Sequence, residues 1–333
     1  MDGEKIEHLY FLKFDSNIEF MLNEEEFREI VRNQEEARRQ YESRLREPID
    51  VRLKIMLEGF KADETELDIS PDIKVYRATF EEREAFFKKA QDMDMTRYSA
   101  ENNEFFLTFD FPITKGEIQS LTPGNKLTQI AIFFAVCSKV FIQIDKGQFF
   151  LSQENAYVSA GLIKTPQRSL KYERNAHFNK GDIEEMGKFW PLYNDLYTKA
   201  THFALIARRF YYSLTRYQWE DELIDLIIAL EALLVPENVE GKGGLIAKRL
   251  SKLLSEQFPA GTLHKNAQKC YDLRNKIVHG DVVTQLENDA RAYVEGLSVY
   301  VKCALQKYLL TYHSLSPVDL VKEIDKIELR RSI

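Results

Sequence analysis

The sequence has few cysteines and no long hydrophobic run. Its 333 residues include three cysteines, Cys137, Cys270 and Cys303, which lie far apart and form no CxxC pair. Disulfide frameworks and structural zinc sites need clustered cysteines, so we expect reduced thiols and no bound metal. No segment reaches the roughly 18 uninterrupted apolar residues of a membrane-spanning helix, and the amino terminus lacks the apolar stretch of a secretory signal. These absences predict a cytoplasmic protein without membrane segments.

Charge is distributed unevenly along the chain. Residues 241–280 carry eight lysines and arginines against two acidic residues, a net charge of +6. Since the whole chain has a net charge of −7, the remainder carries −13. A basic segment in an acidic protein is the pattern of a defined anion-binding site. A lysine-rich helix face exposed to water would have the same composition, so charge alone leaves both interpretations open.

Residues 1–180 mix strand and helix signals. Apolar residues alternate with period two from Val51 to Phe60, which predicts a half-buried strand. The apolar segment 125–139 fits either a buried helix or a pair of strands, and Asp145-Lys146-Gly147 predicts a hairpin turn. Further strands are predicted at 6–14, 75–79 and 104–111, and helices at 24–46 and 80–92. The pattern weakens into turns after residue 152, which places a domain boundary near residue 180.

Helical periodicity continues through the rest of the chain. Helices are predicted at 183–212, 219–235, 245–255, 263–278, 288–312 and 317–330. Short connections between such helices are typical of a bundle. The sequence therefore predicts an α+β protein, in which a mixed α/β domain of unknown role, sensor or regulatory (1–180), precedes an all-α bundle (181–333).

Glu231 lies in a predicted helix that is apolar nearly all round. Its neighbours three and four positions away include Ile227, Ile228, Leu234 and Val235. Such a helix is central in its bundle, and an unpaired buried carboxylate is costly. We therefore expect Glu231 to pair with Arg249 or Arg274 on neighbouring helices. This pattern favours a packing ion pair over direct catalysis, and the pair would also support an arginine at a site.

Arg274 and His279 are the candidate catalytic pair, but their spacing demands a helix end. Five residues place two side chains about 140° apart on an ideal helix, so they do not share a face. Gly280 predicts the necessary end, because glycine readily adopts the left-handed conformation that follows a helix. The carboxyl end of a helix favours a cation, and a histidine there suits general acid catalysis. Arginine–histidine pairs at this spacing are common by chance, so the pair alone identifies no site.

Three segments resemble the HEPN superfamily of helical domains. Tyr271-Asp272-Leu273-Arg274-Asn275-Lys276-Ile277-Val278-His279-Gly280 is similar to the HEPN signature, in which a polar residue directly follows an arginine and a histidine comes a few positions later. Residues 221–234 resemble the central helix of the Apea-like HEPN branch, and residues 246–254 resemble the helix that follows it. The resemblance covers roughly residues 190–312 and implies that the predicted bundle (181–333) is HEPN-like.

The resemblance implies a metal-independent endoribonuclease that needs no cofactor, of the kind found in toxins and in antiviral or phage defence. The ribose 2′-hydroxyl would attack the adjacent phosphate, leaving a cyclic phosphate and a 5′-hydroxyl. His279 would transfer a proton, Arg274 would stabilise charge on the phosphoryl oxygens, and Asn275 would orient either group. Further candidates for phosphate contacts are Lys276, Arg249 and Lys248.

The resemblance also implies a homodimer whose two motifs share one RNA-binding site. Since some HEPN domains only bind or dimerise, the alternative is a non-catalytic module that holds nucleic acid or a protein. A third possibility is an enzymatic amino-terminal domain scaffolded by the helices, but no catalytic constellation precedes residue 180. Gly241-Lys242-Gly243-Gly244 lacks the spacing of a P-loop, so we predict a flexible loop there.

Overall fold

Strands dominate the first half of the fold and helices the second. The computed structural model describes residues 10–14, 18–22, 24–58, 60–89, 104–114, 123–138, 143–151, 157–159, 176–236, 238–280 and 287–328. The strands are β1 (Tyr10–Phe14), β2 (Ile18–Leu22), β3 (Pro48–Glu58), β4 (Phe60–Ala62), β5 (Glu66–Ser70), β6 (Ile73–Arg77), β7 (Phe105–Thr114), β8 (Gln143–Leu151), β9 (Tyr157–Ser159) and β10 (Ala176–Phe178). The predicted α+β class is confirmed at this level.

Helices account for most of the second half. They are α1 (Glu24–Leu45), α2 (Phe80–Lys89), α3 (Pro123–Cys137), α4 (Lys180–Lys199), α5 (Thr201–Leu214), α6 (Trp219–Leu234), α7 (Lys242–Leu253), α8 (Ala260–Val278), α9 (Glu287–Lys307) and α10 (Pro317–Lys326). A π-helical turn, Tyr308–Tyr312, continues α9. Among the described residues, no helix is both long enough and apolar enough to span a membrane.

A six-stranded antiparallel sheet forms the centre of the first half, in the order β5-β6-β7-β3-β8-β9. The predicted alternation in β3 is confirmed, since Val51, Leu53, Ile55 and Leu57 are fully buried. The predicted hairpin at Asp145-Lys146-Gly147 is wrong, because these residues lie inside the continuous strand β8. A register shift opposite Met56 and Leu57 accommodates the extra residue, so a turn-like sequence forms a bulge rather than a turn.

Residues 125–137 of the segment that fits a helix or a strand pair by sequence lie in helix α3, and residue 139 lies outside the described residues. Every residue from Gln129 to Cys137 is buried, because α3 lies between the sheet and the helices α4, α5 and α9. Side chains of α9 complete its carboxyl end, where Lys302 donates to the carbonyl of Ser138 and Gln306 donates to that of Val136 at 2.9 Å. Among the described residues, one hydrophobic core therefore extends from the sheet through α3 into the helices that follow residue 180.

The single helix predicted over 183–212 is wrong, since the structure has two helices, α4 and α5. They are separated by Ala200, whose backbone is extended at φ −108° and ψ 95°. The rings of Tyr193 and Phe203 meet across this break with centroids 6.0 Å apart. Residues ten apart in a continuous helix would be separated by about 15 Å along its axis. Tertiary packing thus determines a break that no glycine or proline marks.

Candidate functional site

Helix α8 carries the predicted motif and ends where the sequence predicts. His279 is its C-cap residue, and the backbone N–H of His279 donates to the carbonyl of Asn275 at 3.0 Å. Gly280 follows with φ +82°, a left-handed conformation that strains any residue with a Cβ atom. The side chains of Lys276 and His279 are exposed at this end of the helix. The predicted helix end is therefore confirmed, and His279 faces solvent.

Arg274 is held by its neighbours on α8. Its Nη1 donates to the side-chain oxygen of Asn275 at 3.2 Å, and its guanidinium carbon lies 5.9 Å from the centre of the Tyr271 ring. At this distance the ring face attracts a cation. Within the described part of the chain, the Nε of Arg274 is shielded from solvent and has no hydrogen-bond partner. Asn275 therefore orients Arg274, whose shielded Nε–H donates no hydrogen bond to the described residues.

The neighbour of Glu231 is a tyrosine, which corrects the predicted ion pair. Partial burial raises the pKa of Tyr271, and the Glu231 carboxylate raises this pKa further through its charge and a hydrogen bond, whereas Arg274 opposes the shift. No ion pair within 4 Å joins Glu231 to either predicted arginine in the described part of the structure. Tyr271 precedes Arg274 by one helical turn and therefore links the carboxylate to the guanidinium.

Gly243 is a member of the site that sequence reasoning missed. The flexible loop predicted over 241–244 is largely wrong, because α7 already begins at Lys242 after the left-handed Gly241 at φ +70°. A Cβ atom on Gly243 would lie 2.5 Å from Cδ1 of Tyr271. The absence of a side chain lets the first turn of α7 contact that ring. The glycine-rich composition of residues 241–244 is visible in the sequence, but the contact between Gly243 and Tyr271 is not.

Arg249 is a structural residue, which corrects its predicted phosphate contact. Its side chain is buried, with Nε and Nη2 donating to the carboxylate of Asp325 and Nη1 donating to the carbonyl of Leu234 at 2.7 Å. Leu234 is the last residue of α6, and Asp325 lies on α10. Arg249 thus joins three helices and satisfies a carbonyl at the end of one of them.

We expect Asp325→Asn to lower the free energy of unfolding by about 1–2 kcal/mol at pH 7, because it removes a counter-charge of the buried Arg249. This expected loss of stability is smaller than that for a fully buried ion pair, because the Asp325 side chain is 38% exposed. Hydrogen bonding from Arg249 lowers the pKa of Asp325, burial opposes this shift, and Lys248 and Lys252 reinforce it. With its folded pKa below its unfolded value of about 3.9, Asp325 stabilises the fold above that pH. This stabilisation is lost as the pH falls through the folded pKa.

Urea denaturation of both proteins from pH 7 downwards measures this effect. The difference between wild type and Asp325→Asn should shrink below about pH 4. The matched control is Glu323→Gln, which removes an exposed carboxylate from the same helix. If the free energies of unfolding of wild type and Asp325→Asn differed by the same amount at every pH, the charge of Asp325 would not be the cause of the difference.

The remaining predicted basic residues are exposed. Lys276 lies in the last turn of α8, and Lys248 lies on α7, where its charge lowers the pKa of Asp325. No group of three or more potential metal ligands occurs among the described residues. An open cavity of about 470 Å³ lies elsewhere, between the β5–β6 turn and α4. The motif is therefore a surface site at the end of a helix.

Comparisons with protein-family models, with curated proteins and with solved structures gave no match for this chain.

Proposed function

We propose that this protein is a metal-independent endoribonuclease of the HEPN type, with its active site at the carboxyl end of α8. The observation that carries the proposal is the arrangement of this end, where Asn275 orients Arg274 and His279 is exposed at the C-cap. A cation, a polar orienting group and a proton carrier are groups suited to phosphoryl transfer to a 2′-hydroxyl.

The reaction assigns a step to each group. The 2′-hydroxyl loses its proton and forms a bond to the adjacent phosphorus, while the bond to the 5′-oxygen breaks and that oxygen gains a proton. His279 exchanges these protons, and Arg274 neutralises the charge that develops on the phosphoryl oxygens. Lys276 is exposed beside His279 and supplies a further phosphate contact.

A homodimer with a composite site belongs to the same proposal. The reaction needs one group that removes a proton and another that delivers one. The motif of one chain supplies a single histidine, His279. Two copies related by a two-fold axis would bring two such histidines together. The exposed Val278 beside this residue, with 54% of its surface accessible, is a candidate contact between the copies.

The biological role that we propose is that of a toxin or an antiviral effector. An enzyme that cuts cellular RNA has to be restrained, and the amino-terminal region is the candidate sensor or regulator. Its buried contact with the helices through α3 supports such coupling.

Incubation of the purified protein with RNA in excess EDTA tests the function. We expect cleavage to continue without divalent metal and to leave cyclic phosphate and 5′-hydroxyl ends. Cleavage that stops in EDTA and returns with magnesium would contradict the mechanism. Intact RNA across several substrates, together with binding of RNA or of a protein, would favour the alternative of a non-catalytic HEPN module.

A further inference from the structure

We propose that Tyr271 is the positioning residue of the site and that it fixes the Arg274 guanidinium for contact with phosphate. The proposal rests on the proposed function for its substrate, but the positioning itself is a property of the folded chain. Three helices meet at this side chain: Glu231 of α6, Gly243 of α7, and Arg274 on the same α8 helix as Tyr271.

The Tyr271 ring is fixed from two sides. The Glu231 carboxylate acts on its hydroxyl group and raises the pKa of Tyr271 through its charge and through hydrogen bonding. Its ring packs against Gly243, where even a single added carbon atom would lie within 2.5 Å. An aromatic side chain has only two rotatable bonds, so these two contacts restrict the whole group.

Arg274 is in turn fixed between this ring and Asn275. Tyr271, Arg274 and Asn275 are spaced i, i+3 and i+4, which places them on one face of α8. The guanidinium carbon is 5.9 Å from the ring centre, and Nη1 is bound to the Asn275 side chain at 3.2 Å. An unsupported arginine samples many rotamers, and binding a phosphate would then require that freedom to be lost. The support from Tyr271 provides the bound geometry in advance.

This role differs from that of a catalytic acid or base and from that of simple packing. The Tyr271 hydroxyl interacts with a carboxylate, which favours the neutral phenol, so Tyr271 is not the group that accepts a proton. If the ring only filled space, Tyr271→Phe would be neutral, because it retains the ring and removes only the hydroxyl group. Positioning predicts instead that losing the contact with Glu231 releases the guanidinium.

The first arm of the test measures hydrogen exchange at the Arg274 side chain and needs no RNA. Because the Nε–H of Arg274 is shielded from solvent, its hydrogen should exchange slowly in an NMR experiment. We expect Tyr271→Phe and Gly243→Ala each to accelerate this exchange about tenfold. The matched control is Tyr300→Phe, which removes a hydroxyl group that accepts a hydrogen bond from Asn266 of α8. Unchanged exchange in both Tyr271→Phe and Gly243→Ala would overturn the proposal, whether or not the protein cuts RNA.

The second arm measures cleavage in a double-mutant cycle. Tyr271→Phe should lower kcat about tenfold with little change in KM, and Arg274→Lys should lower it further. If Tyr271 acts through Arg274, the double variant should be no slower than Arg274→Lys alone. Fully additive losses would show that Tyr271 acts separately and would contradict the positioning role. If the wild type cut no RNA, the proposed function would be overturned. The positioning role would still stand if the Nε–H of Arg274 exchanged faster in Tyr271→Phe than in the wild type.

Discussion

Replacing His279 with alanine is expected to reduce RNA cleavage by about 10²- to 10⁴-fold, the usual contribution of a positioned acid or base. The side chain is exposed at the C-cap of α8, and the capping interaction uses the backbone N–H, which alanine retains. Stability should therefore change by less than about 0.5 kcal/mol, as for most surface substitutions. Initial rates on a fluorescent RNA in EDTA, together with urea denaturation, measure both quantities.

His313→Ala is the matched control for this loss. His313 is also exposed, but it lies after the π-helical turn and outside the motif. Its replacement should leave cleavage within about twofold of wild type. Equal activity of wild type and His279→Ala would remove this histidine from the mechanism. A large loss of stability in His279→Ala would attribute the defect to folding.

Phe133→Ala is expected to lower the free energy of unfolding by about 3–5 kcal/mol, the typical cost of removing a buried aromatic side chain. Phe133 is fully buried on α3. Its ring contacts Trp190 and Tyr193 of α4, with centroids 5.0 and 5.3 Å away. Removing this ring would therefore leave a cavity between α3 and α4, in the part of the core that residues before and after position 180 share.

Urea denaturation followed by tryptophan fluorescence and by circular dichroism measures this effect. If the shared core unfolds as one unit, both signals should move together to lower urea concentrations. Tyr217→Ala is the control, because this side chain is 72% exposed and should change stability by no more than about 0.5 kcal/mol. A variant in which the helices keep their wild-type transition would instead favour two independent domains divided near residue 180.

Features that depend on neighbouring residues were predicted correctly from the sequence more often than features that depend on residues far apart in the chain. The end of α8 was predictable, because Gly280 marks it one residue beyond the C-cap. Period-two alternation likewise identified β3. Segment 125–139 was not assignable, because an element buried on every side loses the periodicity that distinguishes a helix from strands. The hairpin in β8 was wrong for a related reason, since pairing with β3 overrides the turn preference of Asp145-Lys146-Gly147.

By itself the sequence determined the α+β class, the basic segment 241–280 and the chemical groups of the motif, all of which depend on composition or on neighbours within a few residues. Only the tertiary structure decided which of the charged groups meet. Arg249 pairs with Asp325, 76 residues away, and Glu231 acts on the pKa of Tyr271 instead of pairing with an arginine among the described residues. These contacts depend on how α6, α7, α8 and α10 pack against one another. Because helix packing is set by whole surfaces, no local pattern in the chain specifies the partner of a single side chain.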